Sequence, residues 1–129
     1  MPFIREVGTR EAPAAIGPYA QAVVCEGWIY VSGQIPVEPS TGELIRGDIT
    51  SQTNQVFRNL RAILEAAGGS LTTVVKTTVY ISDMDDFGEM NDAYAHHFPD
   101  HKPARATIQA ARLPRDVGVE IEVIAREID

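Results

Sequence analysis

The sequence predicts an α+β domain in the order β-β-β-α-β-α-β-β, with about six strands in a mixed sheet and two helices on one face. Three observations predict it. Asp48 to Ala67 carries its apolar residues at three- and four-residue spacing, the period of a helix. Short runs near both ends of the chain alternate or are rich in β-branched residues, the mark of strands. The 129 residues, 44% of them hydrophobic, suffice for one core and one domain over residues 1–129.

Phe3 to Val7 reads as a short first strand. Tyr19 to Cys25 and Trp28 to Gly33 are β-like runs joined through Glu26-Gly27, which predicts a hairpin. Pro36 to Ile45 is a loop turning at Ser40-Thr41-Gly42. In the helix that follows, Ile49, Val56, Leu60, Ile63, Leu64 and Ala67 share one face. Asp48 or Thr50 caps its start, and Gly68-Gly69 ends it. Val74 to Ile81 is β-branched and aromatic, hence a strand. Asp83 then caps a second helix to about Phe98, with Phe87, Met90, Tyr94 and Phe98 as its apolar face and Pro99 as its stop. Ala104 to Ala110 and Val119 to Ala125 alternate with period two and close the sheet. One sheet face is left without helices. Depending on register it carries Tyr30 and Ser32, or Arg105, Thr107 and Gln109, or Glu120, Glu122 and Ile124. Such a mixed face predicts an oligomer.

Charge and composition exclude several classes. The net charge is −7, from 11 basic and 18 acidic side chains, and the basic residues are scattered singly, so no footprint for a phosphate backbone exists. The single Cys25, expected as a strand residue at the edge of the core, rules out an internal disulfide framework or a multi-cysteine zinc site. Met1 to Gly8 lacks the apolar stretch of a secretory signal, and no run approaches the ~18 apolar residues of a membrane span. A reducing cytoplasm is the expected location. Gly-rich phosphate loops, dinucleotide fingerprints, a Gly-x-Ser-x-Gly elbow and the zinc-deaminase signature are missing from the sequence. His96 and His97 point about 100° apart on a helix, and with His101 are expected to be solvated or at a rim. A site without metal or cofactor is the remaining expectation.

Five positions carry candidate chemistry, each with a plainer alternative. Arg105 lies in a strand of small residues and either pairs with Glu120 or Glu122 or presents a fork to a carboxylate ligand. Glu120 is either a solvent-facing strand carboxylate or a group that orients and deprotonates water. Asn91, on the apolar side of the second helix, needs a hydrogen-bond partner, backbone or otherwise. Tyr19 and Ser32 sit at loop–strand junctions, as core aromatic and turn hydroxyl or as pocket groups.

The segment PARATIQAARLPRDVGVEIEVIA from Pro103 to Ala125 resembles the signature of the RidA (YjgF) family of enamine and imine deaminases. So do APAAIGPYAQAVVCEGWIYVSGQIP from Ala12 to Pro36 and VVKTTVYISDMDDFGEMNDAY from Val74 to Tyr94. The resemblance covers nearly the whole chain. It implies a chorismate-mutase-like fold in a barrel-like homotrimer, sheets inward and helices outside, with sites in the clefts between subunits. It implies that Arg105 holds the substrate carboxylate, that Glu120 positions water, and that Tyr19, Ser32, Gly33 and Asn91 line the pocket. The backbone at Thr107 would hold the imine or keto end. Many members have Cys there, so this chain lacks a thiol for redox control while the chemistry is spared.

The activity so implied is hydrolysis of 2-iminopropanoate, formed from 2-aminoacrylate, and of 2-iminobutanoate, to 2-keto acids and ammonia. It would dispose of reactive intermediates without a cofactor. The rivals are deamination of a larger unsaturated amino acid such as 2-aminomuconate, and metabolite sensing or chaperone-like protection without turnover. The endoribonuclease label that the family also carries is disfavoured by the acidic charge. At 129 residues one subunit leaves no room for a deep enclosed pocket beside its core, which again places the pocket between copies.

Overall fold

In the computed structural model, which describes residues 3–129, six strands form one sheet. They are β1 (Ile4–Val7), β2 (Ala22–Cys25), β3 (Trp28–Gln34), β4 (Val74–Ile81), β5 (Ala104–Gln109) and β6 (Val119–Arg126). Their spatial order is β1-β2-β3-β6-β4-β5. Helix α1 (Ile49–Ala67) joins β3 to β4, and α2 (Phe87–His97) joins β4 to β5. Every neighbouring pair is antiparallel except β4 with β5, whose parallel pairing needs the helical crossover that α2 supplies. The element order is the one the sequence predicts.

The local chemistry accounts for the ends. Cys25 pairs with Trp28, leaving Glu26 and Gly27 as a two-residue turn with φ of 53° and 83°. Two left-handed residues are what a type I′ hairpin turn requires, and glycine takes the second without strain. The Asp48 carboxylate accepts from the Ser51 amide at 2.8 Å and starts α1. Gly68 ends it at φ 93°, with its own amide on Glu65 O and the Gly69 amide on Leu64 O, the paired bonds of a Schellman cap. Asp83 caps a single 3-10 turn, Met84–Asp86, rather than α2 itself, which begins at Phe87. The strand at Tyr19 also starts late, at Ala22, because residues 19–21 carry the side chains of a loop and do not join the ladder.

Both helices pack on the same sheet face. The six residues expected on the apolar face of α1 are all buried, as are Met90, Tyr94 and Phe98 of the second helix and its end, whereas Phe87 is only partly covered. Val119, Ile121, Val123 and Ala125 of the central strand β6 meet these helices. Asn59, fully buried among them, donates to the carbonyls of Ile35 (3.2 Å) and Val37 (3.0 Å) and accepts from Gln55 (3.0 Å). These bonds tie the loop after β3 to α1. His97 is neither solvated nor at a rim. Its ring stacks on Phe57 at 4.3 Å and bonds Asn54 Oδ1 at 2.8 Å. Burial and the nearby Arg61, His96 and Arg58 lower its pKa to about 4.

Register settles the contents of the uncovered face. Tyr30 opposes Ile124, Tyr80 opposes Glu120, and Thr78 opposes Glu122, so these side chains share the open face. Cys25, beside Trp28 and half-buried, is on that face too. Arg105, Thr107 and Gln109 instead oppose Thr77, Val79 and Ile81, whose side chains are buried beneath the helices. They therefore face the helix side. No helix of the described residues is long and apolar enough to cross a membrane.

Candidate active site

The expected site residues fall into two groups. The first is built on β5 and α2. Arg105 donates from Nη1 to Asn91 Oδ1 at 2.7 Å, and its guanidinium carbon lies 4.8 Å from the Tyr94 ring centre and 5.6 Å from that of Phe87. Tyr94 is itself fixed by a 2.8 Å hydrogen bond to Thr77. The fork is thus held against aromatic faces with most of its donors unspent. Neither Glu120 nor Glu122 pairs with it, and among the described residues it makes no ion pair. The alternative of a structural pair with those glutamates is set aside by the register. Asn91 is satisfied by this side chain rather than by backbone. Beside them Lys102 donates to the Phe98 carbonyl at 3.0 Å, at the end of α2, and lines the same groove. Thr107 lies on β5 with its hydroxyl buried and without a hydrogen-bond partner among the described residues.

The second group lies on the open face, where β3 is irregular between Val31 and Gln34 against β6. Glu120 stands directly over Gly33. A Cβ at Gly33 would lie 3.0 Å from the Glu120 carboxyl carbon and closer still to one oxygen, so the absence of a side chain is what admits the carboxylate. Burial, and then the charge of Glu122, raise the pKa of Glu120. Glu122 accepts a 2.6 Å hydrogen bond from the Tyr80 hydroxyl, and that bond raises the tyrosine pKa in turn. Ser32 donates from its hydroxyl to the Ala20 carbonyl at 2.7 Å and from its amide to the Gln21 carbonyl at 2.9 Å, which fastens the loop bearing Tyr19. Tyr19 is half-exposed, and its hydroxyl accepts from the Ile16 amide at 3.3 Å. It is a loop residue, not a core aromatic.

Tyr19 and Gly33 also line a cavity of about 230 Å³ that the sequence did not lead us to expect in one chain. Its walls include Ile35 and Val37, the residues whose carbonyls Asn59 holds. Neither Asn59 nor the cavity's one charged lining residue, Arg115, stood out from sequence. An amide between Val56 and Ile63 on an apolar helix face was the available signal for the first.

The two groups do not meet within one chain. Arg105 and Glu120 lie on opposite faces of the sheet, with β4 between their strands. A fork without an acid, and a half-buried carboxylate with a raised pKa, are the parts of a site for small anionic substrates. Among the described residues no group of three or more His, Cys, Asp or Glu side chains is placed to hold a metal ion.

This fold and these residues define a small sheet domain bearing two separate polar clusters, one on each sheet face. The chain belongs to the family described as Endoribonuclease L-PSP, the RidA family, whose model matches residues 9–127. It is 53% identical over 117 residues to a RutC family protein of Pyrococcus horikoshii, covering 91% of this chain and 93% of the relative. It is 50% identical over 124 residues to the mouse protein named 2-iminobutanoate/2-iminopropanoate deaminase, covering 95% and 92%. The crystal structure of E. coli TdcF with bound serine superposes with a TM-score of 0.91 at 42% identity, over 96% of this chain and 99% of the other.

Proposed function

We propose that this chain hydrolyses short 2-imino acids, 2-iminopropanoate and 2-iminobutanoate, to 2-keto acids and ammonia, in clefts between copies of itself. The observation that carries the reading is the Arg105 guanidinium, pinned by Asn91 and two aromatic rings yet lacking an acidic partner. A guanidinium fork in that state binds a carboxylate through two parallel hydrogen bonds. The mouse relative's name and the serine bound to the E. coli relative support a small amino-acid-like ligand.

The imine carbon is already electrophilic, so positioning and electrostatics supply the catalysis. Water adds to the C=N carbon while Glu120 accepts its proton. Glu120 then returns that proton to nitrogen, giving the carbinolamine; in a second cycle it takes the hydroxyl proton and passes it to nitrogen as the C–N bond breaks, so that ammonia leaves as the C=O forms. The sum is imine plus water giving ketone plus ammonia, with no change of oxidation state. A carboxyl whose pKa is raised by burial is better matched to both transfers near neutrality than an ordinary glutamate. Tyr19 closes the pocket against bulk water. Because Arg105 and Glu120 occupy opposite sheet faces, one copy offers the fork and its neighbour the base; a homotrimer of such clefts fits the family resemblance. The net charge of −7 and scattered cations favour this reading over ribonuclease action.

The test couples a serine dehydratase to the protein and traps surviving imine with semicarbazide. The protein is expected to speed loss of free imine and release of ammonia. Tight keto-acid binding with no acceleration over buffer would mean a sensor rather than an enzyme.

A further inference from the structure

The cavity lined by Gly33, the residue that Glu120 packs on, is larger than a methyl or ethyl side chain needs. At about 230 Å³ it exceeds the ~150 Å³ apolar cavity that accommodates a benzene ring. Ile16, Ile35, Val37 and Pro39 give it apolar walls, and among the described residues no carboxylate lines it. The one charged lining residue is Arg115. That side chain makes a single long hydrogen bond, 3.4 Å to the Gly42 carbonyl, and among the described residues no ion pair. The backbone that carries it is nevertheless held. Arg115 and Asp116 adopt consecutive left-handed conformations, φ 55° and 58°, which side chains rarely take. The Asp116 carboxylate is gripped by Arg112 through bonds of 2.6 and 3.1 Å, and the Asp116 and Val117 amides close the turn on Leu113 and Pro114. A cation is therefore placed on a largely apolar cavity, which Gln21 and Gln34 also line and which shares Gly33 with the candidate base.

We propose that this cavity is the side-chain subsite, and that Arg115 selects 2-imino acids carrying a second anionic group at the far end of an apolar chain. The inference rests on the deaminase reading above and names its substrate class. The reacting C=N would lie at the cavity edge beside the Glu120 carboxylate rather than between it and Gly33, and the chain would run past Tyr19 between Ile35 and Val37. Its terminal carboxylate would meet the donors that Arg115 leaves unspent. The chemistry at the imine carbon is unchanged, since the second anion takes no part in proton transfer.

The test measures kcat/KM on imines produced in place by an amino-acid oxidase from glutamate, norvaline and alanine. Affinities for the corresponding stable keto acids are measured by calorimetry. Wild type is expected to favour the glutamate-derived imine over the norvaline-derived one, and 2-oxoglutarate over 2-oxopentanoate, by tenfold or more. Arg115→Asn removes the cation while keeping a residue that tolerates the left-handed turn, and is expected to erase that preference in both measurements. Ala14→Phe, on the exposed rim of the cavity, should lower both longer-chain ligands relative to the alanine-derived one. Equal preference in wild type, or a preference that survives Arg115→Asn, overturns the proposal. Loss of turnover on all three imines with selective keto-acid binding intact would instead overturn the deaminase reading and leave the subsite standing.

Discussion

Removing the guanidinium at position 105 separates recognition from folding. On the proposed reading Arg105 contributes two charge-assisted hydrogen bonds to a carboxylate, each worth about 1.5–3 kcal/mol. Arg105→Ala therefore costs about 3–6 kcal/mol of transition-state binding, or roughly 10²- to 10⁴-fold in kcat/KM. The cost to the fold is small. Arg105 is exposed on the edge strand, and what it loses there is one hydrogen bond to Asn91 and contact with the Tyr94 and Phe87 rings. Such exposed cation–ring contacts are worth about 0.5–1 kcal/mol. Semicarbazide trapping reads the rate, and urea denaturation reads the stability. Arg105→Lys keeps the charge but not the fork and should fall between the two. An Ala variant that turns over imine at the wild-type rate refutes the assignment. One that unfolds several kcal/mol more easily refutes the claim that the side chain is spent on ligand rather than on structure.

Three further outcomes follow from the same geometry. Glu122→Gln removes the negative charge beside Glu120 but leaves Tyr80 an acceptor, so the acid limb of the kcat/KM profile should move to lower pH; an unmoved limb would dissociate Glu120 from the titration. His97 has its folded pKa lowered from 6.5 to about 4, so the unfolded chain binds the extra proton first. Its share of stability is complete above about pH 6.5 and is lost as pH falls towards 4, about 2 kcal/mol once partial exposure is discounted. His97→Phe, which can keep the stack on Phe57, should flatten that part of the urea-midpoint profile relative to wild type. Asn59→Ala abandons two buried carbonyls and an amide, and should cost about 2–4 kcal/mol by the same denaturation assay.

What could be read in advance tracks where the physics is local. Helix α1 was legible end to end because its cap, its apolar face and its terminating glycines all sit within the segment. The β2–β3 hairpin was legible from Glu26-Gly27 for the same reason. The start of the second helix differs from the expected one: Asp83 satisfies an amide within a 3-10 turn, and the sequence Met84-Asp85-Asp86 does not distinguish that turn from a first α turn. The face occupied by Arg105 was not legible at all. An edge strand of Ala, Thr, Ile and Gln has no apolar side to orient it, and pairing with Thr77 of β4 decides the matter. His97 was read as a rim residue because its burial depends on Phe57 and Asn54, 40 and 43 positions away. Arg115 left no trace because neither its left-handed turn nor the cavity beneath it is encoded by neighbours of unusual type.

The placement of fork and base on opposite sides of one sheet has a genetic consequence. On the proposed assembly, a chain carrying Arg105→Ala still offers an intact Glu120, and a chain carrying Glu120→Ala still offers an intact Arg105. Two inactive alleles mixed in one oligomer would rebuild working clefts wherever the surviving halves face each other. Neither allele regains anything alone, at any concentration. On that assembly activity belongs to the contact between copies, and a separated subunit has none to offer.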